Sequence, residues 1–245
     1  MIYLYDGSFE GFETAIFHAW RDGTAQIIDC MPGPSLFDVK VVATDEVASN
    51  RVEAGMSRLS PSMPSDVYRA WLSREDGIDD VLLGTIRVGF AKRCDPFAYR
   101  QDDCCRRAAE AERRVGLEQH RFLEFVRFAQ IDENVYVSDI EPSYDILPLI
   151  AGHFFGRMGG VKFVIRDISR MRAAVSDGKH WYIAELDGEQ VPFPLEDGYS
   201  AMWRDYFEHM AIRQRINPKL QRQLVPSRYR NHLTEFQNEN TEIAN

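Results

Sequence analysis

Along the chain the apolar positions shift from a mostly helical spacing to strand-like alternation in the middle, and back again near the end. Residues 2–5 form a short apolar run leading into Asp6-Gly7-Ser8, after which Phe9, Phe12, Ile16, Ala19 and Trp20 recur at helical spacing. That order predicts strand, tight turn and helix, with the Ser8 hydroxyl accepting an amide hydrogen of the first turn. A helix start also suits an anion, but Asp6 and Glu10 would repel one, which favours plain capping. Beyond the Pro32-Gly33-Pro34 break, 36–44 reads as a second strand. Residues 47–59 and 65–75 read as helices, the second capped by Ser65 behind Pro64. From Ile78 the positions Leu82, Ile86, Phe90 and Phe97 continue a helical theme, and the arginine-rich stretch 102–119 predicts one more helix.

The period then changes. Residues 121–131 and 135–140 read as strands joined at Asp132-Glu133-Asn134, and 144–158 as a helix closed by Gly159-Gly160. Residues 163–175 and 180–186 read as a hairpin through Ser176-Asp177-Gly178-Lys179, Asp-Gly being a good hairpin signal. The pattern predicts an α+β fold: a central antiparallel sheet (strand-strand-helix-strand-strand) with several helices packed around it. Tyr199, Trp203, Tyr206, Phe207 and Met210 share one face of a further helix, a basic C-terminal segment follows, and the tail from about 237 reads as frayed. The expected organisation is an N-terminal strand-helix region over 1–80, a central α+β domain over 81–236, and the tail 237–245.

Composition narrows the class without naming a reaction. With 245 residues, 44% hydrophobic and 27% charged, the chain has apolar material for a real core, which excludes a disordered tail or a disulfide-stapled miniature. Its longest apolar runs, such as 146–155, fall short of the roughly 20 residues that a membrane helix needs, so no membrane partner is expected. The Met-Ile-Tyr-Leu-Tyr-Asp start lacks the basic and apolar regions of a secretory signal, which points to the cytoplasm. Cys30, Cys94, Cys104 and Cys105 form no Cys-x-x-Cys pair and have no histidine at zinc-finger spacing. Neither a metal nor any other cofactor is therefore expected on this chain.

Charge changes the picture more. The net charge is -9, yet the stretch 209–233 carries Arg213, Arg215, Lys219, Arg222, Arg228 and Arg230 with no acid, so the rest of the chain stands at -9 minus 6, or -15. An acidic body thus leads into a cationic segment whose guanidinium forks suit phosphate and base edges. Within it, Asn217 and Gln221 can read base edges and Tyr229 can stack a base, while the prolines forbid one continuous helix. The alternative is that the segment pairs with the protein's own acids or with an acidic partner protein.

The signatures of the easily recognised enzyme classes are absent: no phosphate-binding Gly-x-x-x-x-Gly-Lys, no His-Glu-x-x-His, no Gly-x-Ser-x-Gly and no dinucleotide-binding glycine fingerprint. Two weaker constellations remain. His153 and Arg157 lie one helical turn apart and can grip a phosphate or act as acid and electrostatic stabiliser, although Leu149, Ile150 and Phe154 around His153 favour a partly buried histidine. Arg166, Arg170 and Arg172 would share one face of a strand, with Asp167 on the other face orienting His153 or Arg127; cross-strand ion pairs are the alternative.

Several motifs together resemble a known family. Tyr5-Asp-Gly-Ser-Phe-Glu-Gly-Phe12, His120-Arg-Phe-Leu-Glu-Phe-Val-Arg-Phe128, His153-Phe-Phe-Gly-Arg157, Val164-Ile-Arg-Asp167 and Arg215-Ile-Asn-Pro-Lys-Leu-Gln-Arg-Gln223 are similar to those of bacterial proteins associated with DNA metabolism and DNA repair. Their shared domain is the domain of unknown function number 4130. The resemblance spans Met1 to about Phe236, with the domain itself covering roughly the last two thirds of the chain. It implies DNA as a partner, together with a radical-SAM repair enzyme or a uracil-DNA-glycosylase-like protein; an iron–sulfur cluster and adenosylmethionine would belong to the radical-SAM partner. Three functions are therefore expected to compete. The first is a DNA-binding accessory that holds the backbone through its C-terminal arginines. The second is a hydrolytic nucleotide- or DNA-processing enzyme using His153, Asp167 and Arg157 or Arg127. The third is an interaction subunit without nucleic-acid affinity.

Overall fold

The computed structural model describes residues 1–30 and 38–186. The Pro32-Gly33-Pro34 break, the helix expected around 199–210, the basic segment 213–230 and the tail from 237 lie outside the described residues. The chain divides into two compact units, residues 1–117 and 118–245. Among the described residues there are six helices and two sheets, of three and five strands, so the fold is α+β.

The first unit opens with β1 (Ile2–Leu4), α1 (Phe9–Ala19), β2 (Gln26–Ile28) and β3 (Val39–Val41). β1 lies in the centre of an all-parallel sheet of order β2-β1-β3. Ser8 caps α1 as its position predicts, its hydroxyl accepting from Gly11 N at 2.9 Å. Asp6 holds this turn: one carboxylate oxygen accepts from Ser8 N at 3.0 Å and the other from Thr44 Oγ1 at 2.7 Å. A Cβ at Gly11 would collide with that carboxylate and force it to shift out of this turn. The strand expected over 36–44 is the short β3, and β2, three residues long, carries too little alternation to be seen in the sequence.

α2 (Glu46–Leu59) starts at Asp45, whose carboxylate accepts from Val47 N at 2.9 Å. α3 (Met63–Trp71) and α4 (Ile78–Lys92) follow, and α5 (Asp103–Phe125) begins in the first unit and ends in the second. Ser65 does not cap α3. That helix starts two residues earlier with Pro64 in its first turn, where a missing N–H costs nothing, and the Ser65 hydroxyl donates to Ser62 O at 2.7 Å. The strand expected over 121–131 is also shorter, because α5 runs to Phe125. Buried Ala111, Val115, Glu118 and Phe122 repeat at helical intervals.

In the second unit β4 (Ala129–Asp132), β5 (Val135–Ile140), α6 (Leu147–Met158), β6 (Lys162–Asp167), β7 (Arg172–Ser176) and β8 (Trp181–Glu185) follow in chain order, and the five strands sit side by side in the same order. The sheet is mixed, unlike the antiparallel one expected. β5 and β6 run parallel because α6 carries the chain back along the sheet between them, while the other three pairings are antiparallel. The single strand expected over 163–175 is two strands: Asp167 Oδ1 accepts from Arg170 N at 3.1 Å, and Met171 turns the chain with φ of +51°. The Asp-Gly hairpin joins β7 to β8, with Asp177 Oδ1 accepting from Lys179 N and His180 N at 2.7 Å and Gly178 at φ of +89°. α6 lays Leu147, Ile150, Ala151 and Phe154 on this unit's core, where Phe128 meets Phe154 at 5.3 Å.

Candidate functional site

Among the described residues the first unit holds a cleft of about 980 Å³ between α1, α2 and α4. Ile16, Val52 and Ile86 contribute its apolar lining. Phe17, Trp20 and Phe90 also line it and remain 38%, 37% and 39% exposed. Arg21, Arg51 and Arg58 line it as well, together with His18, and no aspartate or glutamate among the described residues does. None of these arginines is paired with a carboxylate among the described residues. The Arg51 guanidinium instead lies 5.1 Å from the centroid of the Phe17 ring, a cation–π contact.

The rings are held in place. Trp20 and Phe90 meet edge to face at 5.2 Å. Arg87 on α4 donates to Ala19 O at 2.7 Å, Trp20 O at 3.3 Å and Asp22 O at 2.8 Å, satisfying the carbonyls that end α1 and fixing the residue that carries the indole. Phe90 lies against Gly55 in the middle of α2, where a Cβ would come 3.0 Å from Phe90 Cζ. A mid-helix glycine costs about 0.5–1 kcal/mol relative to alanine; here it admits the ring that borders the cleft.

Buried carboxyls lie elsewhere in the same unit. Glu13, 3% exposed, accepts from the Ser49 hydroxyl at 2.5 Å, while its Oε1 has no partner among the described residues. Burial pushes its pKa up to about 7, against the opposing Ser49 hydrogen bond and with the help of Glu53 and Glu10. Asp79 is likewise pushed up to about 7 by burial, although it accepts from Tyr5 OH at 3.0 Å. The Tyr5 hydroxyl in turn accepts from Trp71 Nε1 at 3.1 Å, and burial raises its own pKa. These groups tie α1 to α2 and the residue after β1 to α3 and α4.

The residues singled out from sequence in the second unit occupy separate settings. His153 and Arg157 are exposed on α6, His153 meeting the Phe154 ring edge to face at 5.3 Å. His153 was expected to be partly buried, but it sits roughly 120° around the helix from the stripe of Leu147, Ile150, Ala151 and Phe154. Asp167 is fully buried and engaged by Arg170, through Arg170 N at 3.1 Å and Nη1 at 3.1 Å; burial still raises its pKa above the ordinary aspartate value. Arg127 donates to Glu124 O at 2.7 Å and Val126 O at 3.4 Å.

The expected row of arginines does not form. Arg166 lies on β6, Arg170 in the turn and Arg172 on β7, and the pairing of Asp167 with Arg172 sets Arg166 and Arg172 on opposite faces. Each guanidinium is engaged. Arg166 pairs in bidentate fashion with Asp139, its cross-strand neighbour on β5, at 2.5 and 2.7 Å. Arg172 reaches Asp145 at 2.7 Å, and Arg170 also donates to Pro142 O and Ser143 O. The cross-strand ion-pair alternative holds for Arg166 and Asp139, whereas Arg172 pairs with Asp145 in the loop before α6 and Arg170 with Asp167 in its own turn.

Arg213, Arg215, Asn217, Lys219, Gln221, Arg222, Arg228, Tyr229 and Arg230 lie outside the described residues. Sequence reading missed the cleft residues Phe17, Arg21, Arg51 and Arg58, and it assigned Trp20 and Phe90 to apolar faces. The available signal was an aromatic, a histidine, a second aromatic and an arginine packed into 17–21 at the end of α1. Among the described residues no group of three His, Cys, Asp or Glu side chains is placed to hold a metal ion, and no helix is long and apolar enough to cross a membrane. None of the four cysteines is in a disulfide, and burial raises the thiol pKa of Cys104 and, to about 11, of Cys105.

No curated protein and no solved structure matches the chain. A family model does match, over residues 76–235, a stretch that takes in α4, α5 and every described element of the second unit. The motifs that suggested a relationship at His120–Phe128, His153–Arg157, Val164–Asp167 and Arg215–Gln223 all fall inside it. With more than half of its length matched, the chain belongs to the DUF4130 family, a domain of unknown function.

Proposed function

We propose that this protein is a nucleic-acid-binding component of DNA metabolism, an accessory or repair-associated protein rather than a catalyst. The observation that carries the reading is the cleft of the first unit, where Arg21, Arg51 and Arg58 stand beside three exposed rings, without carboxylate partners among the described residues. Such guanidinium groups on a chain of net charge -9 favour a polyanion locally while the acidic remainder discourages indiscriminate coating. The acid-free stretch 209–233 offers a second set of phosphate contacts through Arg213, Arg215 and Lys219. Resemblance to proteins of DNA repair supports a place beside a radical-SAM enzyme or a uracil-DNA-glycosylase-like module, which would supply the chemistry.

The test is the salt dependence of DNA binding by the full chain. Each cation withdrawn from a phosphate should flatten the slope of log affinity against log salt by roughly 0.7–0.9. Replacing Arg21, Arg51 and Arg58 together by Gln should remove about two to three units of slope by that arithmetic, and the same change at Arg213, Arg215 and Lys219 a comparable amount. Absence of DNA affinity at low salt, or a slope untouched by both triple changes, would refute the reading.

A further inference from the structure

We infer that the cleft between α1, α2 and α4 is a stacking site for single-stranded nucleic acid and takes unpaired bases rather than duplex. The inference rests on the nucleic-acid-binding reading above and adds the class of polynucleotide. In a duplex both faces of every base are covered by its neighbours, so a protein surface can stack on a base only after it has been unstacked. A single strand presents those faces freely. The cleft offers the matching groups: Phe17, Trp20 and Phe90 are large and about one third exposed, and each belongs to a helix rather than a flexible loop or directly follows one.

Three features make this more than an exposed apolar patch. Two of the rings are held before any ligand arrives, Trp20 by the carbonyl contacts of Arg87 and the edge of Phe90, and Phe90 by its seat on Gly55. Charge lies within the same recess: Arg51 makes a cation–π contact with the Phe17 ring, and Arg21 and Arg58 remain for phosphates. The volume, about 980 Å³, is at the upper end of small-molecule sites and has room for more than one nucleotide. Rings that stack without hydrogen-bonding base edges give little sequence preference. The site therefore fits a strand exposed transiently during DNA processing.

The experiment measures binding of the full-length protein to a short oligothymidylate, to the duplex of that strand with its complement, to inorganic polyphosphate and to polyglutamate. Oligothymidylate should bind tightest and quench the fluorescence of Trp20. Trp20→Leu should weaken it about 5- to 150-fold, the range expected for loss of one stacked base, and leave polyphosphate binding unchanged. Trp20→Phe, which keeps a ring, should restore most of the affinity. Phe17→Leu, a change at an exposed residue that leaves the core intact, should weaken oligothymidylate binding in the same direction, so the outcome does not depend on the Trp20 variant folding. Duplex binding as tight as single strand, leucine variants that retain full affinity, or polyglutamate binding as well as oligothymidylate would each overturn the inference. If duplex binds and responds to Arg51→Gln and Arg58→Gln but not to the leucine variants, nucleic-acid binding stands and the single-strand assignment falls. If no nucleic acid binds, both fall.

Discussion

Replacing Glu13 by Gln isolates the energetic consequence of one buried carboxyl. Glu13 lies between α1 and α2 at 3% exposure, with one oxygen on Ser49 and the other unpartnered among the described residues. Its pKa rises from an ordinary 4.5 to about 7, chiefly through burial. Between those two values the folded protein holds a proton that the unfolded chain releases, so stability falls as pH rises through the interval. For one site with these pKa values the loss from about pH 5 to about pH 8 is roughly 2–3 kcal/mol. The amide of Glu13→Gln cannot titrate. It places a donor or acceptor where the structure offers one oxygen no partner, a cost of about 1–3 kcal/mol that does not vary with pH. The difference in unfolding free energy, variant minus native, should therefore climb by roughly 2–3 kcal/mol from about pH 5 to about pH 8. Urea titration followed by far-UV circular dichroism at a series of pH values measures it. Asp79, also raised, is present in both proteins and cancels. A difference that stays level across the interval would refute the argument, because it would mean that Glu13 titrates as though it were in water.

Two further predictions concern the polar interior. Tyr5→Phe removes the hydroxyl that joins Trp71 Nε1 to Asp79, leaving both without that partner, and should cost about 1–3 kcal/mol in urea unfolding at neutral pH; an unchanged midpoint would show that water replaces the hydroxyl. Arg172→Met strands Asp145, a buried carboxylate whose Oδ1 already lacks a partner among the described residues, and should destabilise by about 3–5 kcal/mol, much of it recovered when Asp145→Asn is added. Failure of the double variant to recover would place the cost in the packing of the arginine stem instead.

Local chemistry by itself determined much of this protein. Ser8 caps α1, Gly159 in a left-handed conformation ends α6 and Asp177-Gly178 turns β7 into β8, because each depends on a residue's own conformational range and on hydrogen bonds to amides two or three positions away. The α+β class followed from the same periodicities. Errors arose where two periods compete over a short run. Residues 121–125 alternate like a strand, yet they extend a helical stripe begun at Ala111, and burial of that stripe decided the matter.

The tertiary structure alone decided which charges are spent and which remain available. Arg166, Arg170 and Arg172 look like a phosphate-binding row in sequence, but partners about 27 positions away, Asp139, Ser143 and Asp145, engage them. Arg21, Arg51 and Arg58 are inconspicuous in sequence; folding sets them around one recess with aromatic residues from α4 and the end of α1 and, among the described residues, brings no acid to its lining. The physical reason is distance along the chain. A cap or a turn is closed by its neighbours, whereas a side chain's electrostatic surroundings are assembled by packing between elements remote in sequence, which no local pattern records.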